Sequence, residues 1–153
     1  MNGRKRHIVV DTLGLVLRVV VHTADIQDRD GAYPVLAPLP KRFPRLQHLW
    51  ADAGYRGKLI EWIQQTLGWS VEIVKHWWTG LRYVWVAPGQ EPPERPRGFV
   101  PLKWRWIVER TFAWLLTNRR LVAEYDFLPT SSEARVYLAM IRLMTRRLAR
   151  AVV

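Results

Sequence analysis

Cysteine is absent from this chain of 153 residues, so neither disulfides nor thiolate metal sites can hold it together, and a reducing cytoplasm fits. Acid is also scarce: 13 Asp and Glu stand against 24 Lys and Arg, leaving a formal charge of +11. No apolar run approaches the roughly 18 residues of a membrane span. The basic start MNGRKRH is followed by an apolar stretch broken by Asp11 and Arg18, with no small-residue cleavage site, so no signal peptide is predicted. The histidines His7, His22, His48 and His76 are scattered without zinc-site spacing. Neither an internal repeat nor a second domain is visible, and residues 1–153 read as one domain long enough for a core.

What the chain does have is basic and aromatic. Nearly half of the residues are apolar and nine are tryptophan, a composition that excludes intrinsic disorder. Lys and Arg cluster at 4–6, 41–45, 95–105, 119–120 and 135–150, which suggests a broad face and not a tail. Such a charge favours polyanions, because each neutralised phosphate releases counterions. A ribosomal-type protein, an anionic membrane surface and a merely soluble basic protein are the competing explanations.

In chain order, Arg4 to Val10 and Leu15 to Thr23 read as two strands joined at the turn Asp11–Gly14, a hairpin apolar enough for the middle of a sheet. Asp11 suits turn chemistry, or else catalysis. In ADIQDRD, Asp28 suits the cap and Asp30 the first turn of a helix running from about Arg29 to Leu39, shortened or kinked by Pro34 and Pro38. Leu46 to Ala51 reads as a buried strand ending at Asp52, followed by a helix over Leu59 to Leu67 and a strand over Ser70 to Lys75. An acid at the carboxyl end of a strand, before a glycine-containing turn, points into the crevice where α/β sheets place ligands; it could equally cap the next helix. Tyr55 and Arg56 in that turn suit base and phosphate contact.

Residues 76–100 form an irregular, proline-rich insertion, beginning with a candidate hairpin in which Trp77, Trp78, Tyr83 and Trp85 interleave with Arg82. Those aromatics suit stacking on bases or packing into a core. Pro101 to Arg120 then reads as one helix with Trp104, Val108 and Leu115 on its apolar stripe. Its sole acid, Glu109, stands among Lys103, Arg105, Arg110, Arg119 and Arg120. It is either a metal ligand facing phosphate or half of an Arg105–Glu109 pair at i,i+4. Thr130 to Glu133 offers a capping box for a last helix, about Ser131 to Arg150, expected to bury Tyr137, Met140, Ile141, Met144 and Leu148.

Carboxylates rising from a strand (Asp52) and from a later helix (Glu109) are what two-metal phosphoryl transfer requires, and hard oxygen donors suit Mg²⁺ or Mn²⁺. Such a site needs at least one further acid. The three segments RKRHIVVDTLGL, ADAGYRG and WIVERTFAWL, in this order between about Gly3 and Arg150, resemble bacterial insertion-sequence transposases of the DDE type, most closely the insertion sequence 5 group.

The resemblance implies an α/β, RNase H-like fold, a mixed sheet flanked by helices. It implies Mg²⁺-dependent hydrolysis at transposon ends and transfer of the freed 3′-hydroxyl into target DNA. Asp52 and Glu109 match the family's second acid and final glutamate, and Arg105 matches its arginine four residues before that glutamate. Leu102 and Leu116 stand where the family has an aromatic residue and a lysine, so Arg110, Arg119 or Arg120 would serve DNA binding, beside Arg105, Arg4, Lys5, Arg6, Tyr55 and Arg56. The family's first Asp lies on a strand upstream of the RKRH stretch, and Asp11 does not replace it. The expectation is a sheet missing its first strand, inactive in DNA cleavage until an upstream transposase polypeptide supplies that acid. Partners expected are DNA, both insertion-sequence ends and target, and further copies of the chain, in a nucleoid-associated, cytoplasmic setting without a membrane. A non-enzymatic remnant that binds DNA ends or intact transposase is the alternative.

Overall fold

A computed structural model describes residues 3–74, 89 and 104–151. The aromatic stretch and nearly all of the proline-rich insertion fall outside them.

The chain opens with β1 (Arg4–Val10) and β2 (Val16–Thr23), an antiparallel hairpin in which Arg4 faces Thr23 and Val9 faces Arg18, with an irregularity at Val9/Val10. β-branched residues dominate β2 and end β1, as a pleated surface favours. The turn is closed by Asp11, whose Oδ1 accepts the backbone N–H of Leu13 and of Leu15, each at 2.8 Å. Gly14 sits at φ +80°, and a Cβ there would come within 2.8 Å of Thr111 Oγ1, so this corner needs glycine for both conformation and space.

Helix α1 (Asp28–Leu36) carries Asp28 and Asp30 in its first turn, where the helix dipole favours acid, and accommodates Pro34 inside. Its cap is Gln27, with no side-chain capping bond, so Asp28 is free of the capping role expected for it. A short helix α2 (Leu39–Arg42) leads to β3 (His48–Ala51). A 3-10 turn over Ala53–Tyr55 leads into α3 (Lys58–Trp62), whose axis continues as a π-helical turn to Leu67. Gly68 at φ +70° ends it in the left-handed conformation that suits glycine. Strand β4 (Ser70–Ile73) pairs parallel with β3, Ala51 facing Ile73. Helices α4 (Arg105–Leu116), α5 (Arg119–Val122) and α6 (Pro129–Ala151) complete the fold.

Among the described residues the sheet is therefore two pairs, β1–β2 and β3–β4, and not one layer with the hairpin at its centre. Each pair has its own apolar cluster. Val19 and Val21 pack with Leu115, Leu121, Val136 and Met140 from α4, α5 and α6. Leu36, Leu39, Leu59, Ile63 and Trp69 form the other cluster, against which Val9 and Leu49 pack.

Two helical expectations need correction. The helix expected over 101–120 is broken into α4 and α5 around Thr117–Asn118, where the Thr117 hydroxyl and the Asn118 amide donate to carbonyls of the preceding turn. Its buried positions are Ile107, Thr111 and Leu115, a stripe rotated from the one expected, because the fully buried Thr111 hydroxyl donates to Gly14 O at 2.7 Å and anchors α4 on the hairpin turn. In α6, Met140 is buried, but Ile141, Met144 and Leu148 are exposed. Helical periodicity identifies an apolar stripe; it does not say how far along the stripe the rest of the chain extends to cover it.

Candidate active site

Asp52 follows β3 directly and caps the 3-10 turn: its Oδ1 accepts the N–H of Gly54 at 2.9 Å. Capping leaves the carboxylate exposed with one oxygen uncommitted, so the cap and a ligand role are compatible. Glu109 projects from α4, and Arg105 Nε donates to its Oε1 at 3.0 Å. This is an exposed i,i+4 pair worth about 0.3–0.5 kcal/mol. Both acids line one cavity of about 330 Å³, together with Trp50, Tyr55, Trp104 and Arg105. The structure thus brings two carboxylates from separate elements to one cavity, with Arg105 paired to one of them.

The turn after Asp52 is tied to the hairpin. The Tyr55 hydroxyl is hydrogen-bonded to His7 Nδ1 at 3.1 Å. Burial, with the charges of Asp52 and Asp28 adding, pushes the phenol up to about 12, so it stays protonated and able to donate. Tyr55 is thereby a tether within the protein. His7 is itself buried and stacks on His22 with ring centroids 4.5 Å apart. A Cβ on Gly31 would collide with the Nε2 atoms of both imidazoles, so α1 packs this closely on the hairpin only with glycine there. Burial, then the neighbouring His22, holds the His7 pKa below its ordinary value; Asp28 opposes them.

Asp28 also reaches the site. A Cβ built on Gly54 would lie 3.1 Å from Asp52 Oδ1 and 3.5 Å from Asp28 Oδ2, so the two carboxylates flank the same glycine. Asp28 is held by Lys5 Nζ at 3.1 Å. Among the described residues no group of three or more His, Asp or Glu is disposed to hold a metal ion.

The aromatic wall was not legible as a unit. Trp50 and Trp104 stack with centroids 4.6 Å apart, and His48 packs edge-on against Trp50. Trp104 sits at φ 71°, a left-handed conformation that costs an L residue on the order of 1 kcal/mol or more. The available signal was positional: Trp50 lies two residues before Asp52, and Trp104 immediately before Arg105.

The cations expected to meet DNA divide into two groups. Arg4 donates to the carbonyls of Asp126 and Phe127, Lys5 to Ile26 O and Asp28, and Arg6 to Leu121 O and Glu124. Arg110 lies between the Trp106 and Trp114 rings, 4.3 and 4.7 Å from their centroids, and donates to Leu13 O. These four are engaged by the protein. Arg56 and Arg119 are exposed and without partners among the described residues, and Arg120 is exposed near Asp126.

A family model described as the transposase DDE domain matches residues 1–143. Comparison with curated proteins and with solved structures gives no match. The mixed α/β architecture is consistent with such a domain, and the match covers both Asp52 and Glu109: the chain belongs to the transposase DDE domain family, its role is in DNA transposition and its partner is DNA.

Proposed function

We propose that this chain is the catalytic portion of an insertion sequence 5-type DDE transposase on an RNase H-like plan. It hydrolyses phosphodiester bonds at insertion-sequence ends and transfers the freed 3′-hydroxyl into target DNA. The observation that carries the proposal is the convergence of Asp52, from the end of β3, and Glu109, from α4, on one cavity. Their hard oxygens fit Mg²⁺ or Mn²⁺, which when bound supplies an activated attacking oxygen and charge neutralisation at the leaving oxygen. Asp52 would offer its uncommitted oxygen. Glu109 would offer its carboxylate once Arg105 turns to a phosphate, an exchange made easy by the weakness of an exposed pair. In this reading Arg56 and Arg119, exposed and without partners among the described residues, bear on the DNA backbone.

Asp28 is paired with Lys5 and lies outside the lining of the cavity, so Asp52 and Glu109 are fewer acids than two-metal chemistry needs, and in this reading an upstream transposase polypeptide contributes the further one. The working assembly contains more than one copy of the chain and sits on the nucleoid in the cytoplasm. No described helix is long and apolar enough to cross a membrane.

The test is Mg²⁺-dependent nicking of a plasmid carrying the insertion-sequence ends, by this chain together with that upstream polypeptide. Glu109→Gln and Asp52→Asn are each expected to lower nicking by about a hundredfold or more, at least what loss of a supporting metal contact costs. Unchanged nicking in Glu109→Gln would remove that residue from the chemistry. The Arg105–Glu109 pair, complete without a metal, favours one alternative: a non-enzymatic remnant that binds DNA ends or intact transposase. It predicts salt-sensitive DNA binding indifferent to both substitutions, and no nicking in any combination.

A further inference from the structure

Helix α6 keeps an apolar face that the rest of the described chain does not cover. Its core side is set by Val136, Ala139 and Met140, buried against the hairpin, with Leu143 packed beside them. A helix packed on one side is ordinarily polar on the other. Here the reverse side carries Ala134, Leu138, Ile141, Thr145 and Leu148, all exposed, with Leu138 at 64%, Ile141 at 53% and Leu148 at 67%. At about 100° per residue this row lies about half a turn from the core side. Exposed leucines scattered singly need no explanation, but a contiguous row marks an interaction surface.

The spacing of the row says what shape covers it. Steps of four, three, four and three residues are the 3.5-residue period of a coiled-coil seam, which presents a straight edge to a second helix. Thr145, the one polar member, donates its hydroxyl to the carbonyls of Ile141 and Arg142, so its polar group is spent within α6 and its methyl is left for packing. The core side already holds α6 as a helix, so only the incoming segment bears the cost of helix nucleation.

Charge says which helix fits. Among its residues α6 has five arginines and a single acid, Glu133, whose carboxylate accepts the Val21 N–H. Arg135 is paired with Asp126, and the Arg147 guanidinium lies 4.4 Å from the centroid of the Trp114 ring. Arg142 stands beside the seam and Arg146 one turn further along the same flank; both side chains are exposed and without partners among the described residues. A second copy of α6 would bring the same arginines to the seam and no acid to meet them, in either orientation.

We propose that this face of α6 is the docking site for an acidic amphipathic helix of another protein, with apolar residues in the seam and Asp or Glu against Arg142 and Arg146. Leu138, Ile141 and Leu148 supply the burial, and the arginines select the sign of the partner. No residue of α6 lines the cavity of Asp52 and Glu109, so the surface is separate from the transposase chemistry.

Fluorescence anisotropy tests this, with the full chain and a labelled synthetic peptide of three heptads, Leu at positions a and d and Glu at e and g. The glutamates keep the probe from pairing with itself. The peptide is expected to bind, and the double variant Ile141→Gln/Leu148→Gln to weaken it by about tenfold or more with the urea midpoint unchanged. Arg142→Glu/Arg146→Glu should reject the glutamate peptide and admit the same peptide with Lys at e and g, which the unaltered chain refuses. Misfolding cannot produce that reversal. Equal binding of the two peptides, no binding of either, or glutamate-peptide binding unmoved by Ile141→Gln/Leu148→Gln would overturn the proposal. So would a dimer of the chain in sedimentation, or binding to phosphatidylglycerol vesicles or to a short DNA duplex, that the same double variant abolishes, since these give the seam to a second copy, a membrane or DNA. No nicking enters the readout, so failure here and failure of the transposase reading are separately visible.

Discussion

The two edges of the β1–β2 hairpin meet opposite fates. The β2 edge is sealed by a buried helix face, with Tyr137 and Glu133 accepting its amide protons. The β1 edge faces a cavity whose far wall is the edge of β3. Strand composition does not decide which edge is safe; a polar side chain placed by a helix does. One edge is hydrogen-bonded to a helix, the other borders a cavity.

The largest way to disturb that contrast is to loosen α6 from β2. Met140 is buried in the cluster with Val19 and Val21. Met140→Ala should cost about 2–5 kcal/mol, the range for truncating a buried methionine. It would be read as a lower urea midpoint at constant slope. A loss below about 1 kcal/mol would mean that α6 is not what holds this edge closed.

Next comes the seal itself. Glu133→Ala leaves the Val21 amide without its acceptor under a helix, a penalty of about 1–3 kcal/mol. It should also convert β2 into a sticky edge, so concentration-dependent association in sedimentation is the distinguishing signature. Tyr137→Phe removes only the hydroxyl over Val19 and should cost about 0.5–1.5 kcal/mol. If the double variant costs no more than Glu133→Ala alone, the two bonds do not act as independent seals.

Glu133 shows why sequence stopped short here. Thr130 to Glu133 has capping-box spacing, and a helix does start there, at Pro129. Its carboxylate, however, serves a strand 112 residues earlier in the chain, which spacing cannot reveal. The same limit applies to the basic residues. Arg4, Lys5 and Arg6 are a charge cluster in sequence, but each finds carbonyls or carboxylates from elsewhere in the chain, ties that the cluster itself does not announce. What was legible is local: the Asp11 turn, the strand ending at Asp52, and Glu109 as the one acid of its helix. The Trp50–Trp104 stack and the flanking of Gly54 by Asp28 depend on tertiary approach and left only weak positional traces.

The smallest expected effect is a titration on the open side. His7 lies on β1, buried against His22, with Asp28, Lys5 and the Tyr55 hydroxyl as its other polar neighbours. Its folded pKa lies below the ordinary value of 6.5, chiefly through burial. The unfolded chain therefore binds the proton first as pH falls, and stability is full above about 6.5 and declines as pH drops through that value toward the folded pKa. Tyr55, near 12, does not titrate in this window. The melting temperature should accordingly fall between pH 7.5 and 5.5, and His7→Gln should flatten that slope while keeping an acceptor for Tyr55. His7 packs against the turn after Asp52 through Tyr55, so the decline should be seen first as faster exchange in β1 and in that turn, with α6 following later. A slope unchanged in His7→Gln would place the acid sensitivity elsewhere, and simultaneous opening of α6 would mean that the two edges melt as one unit.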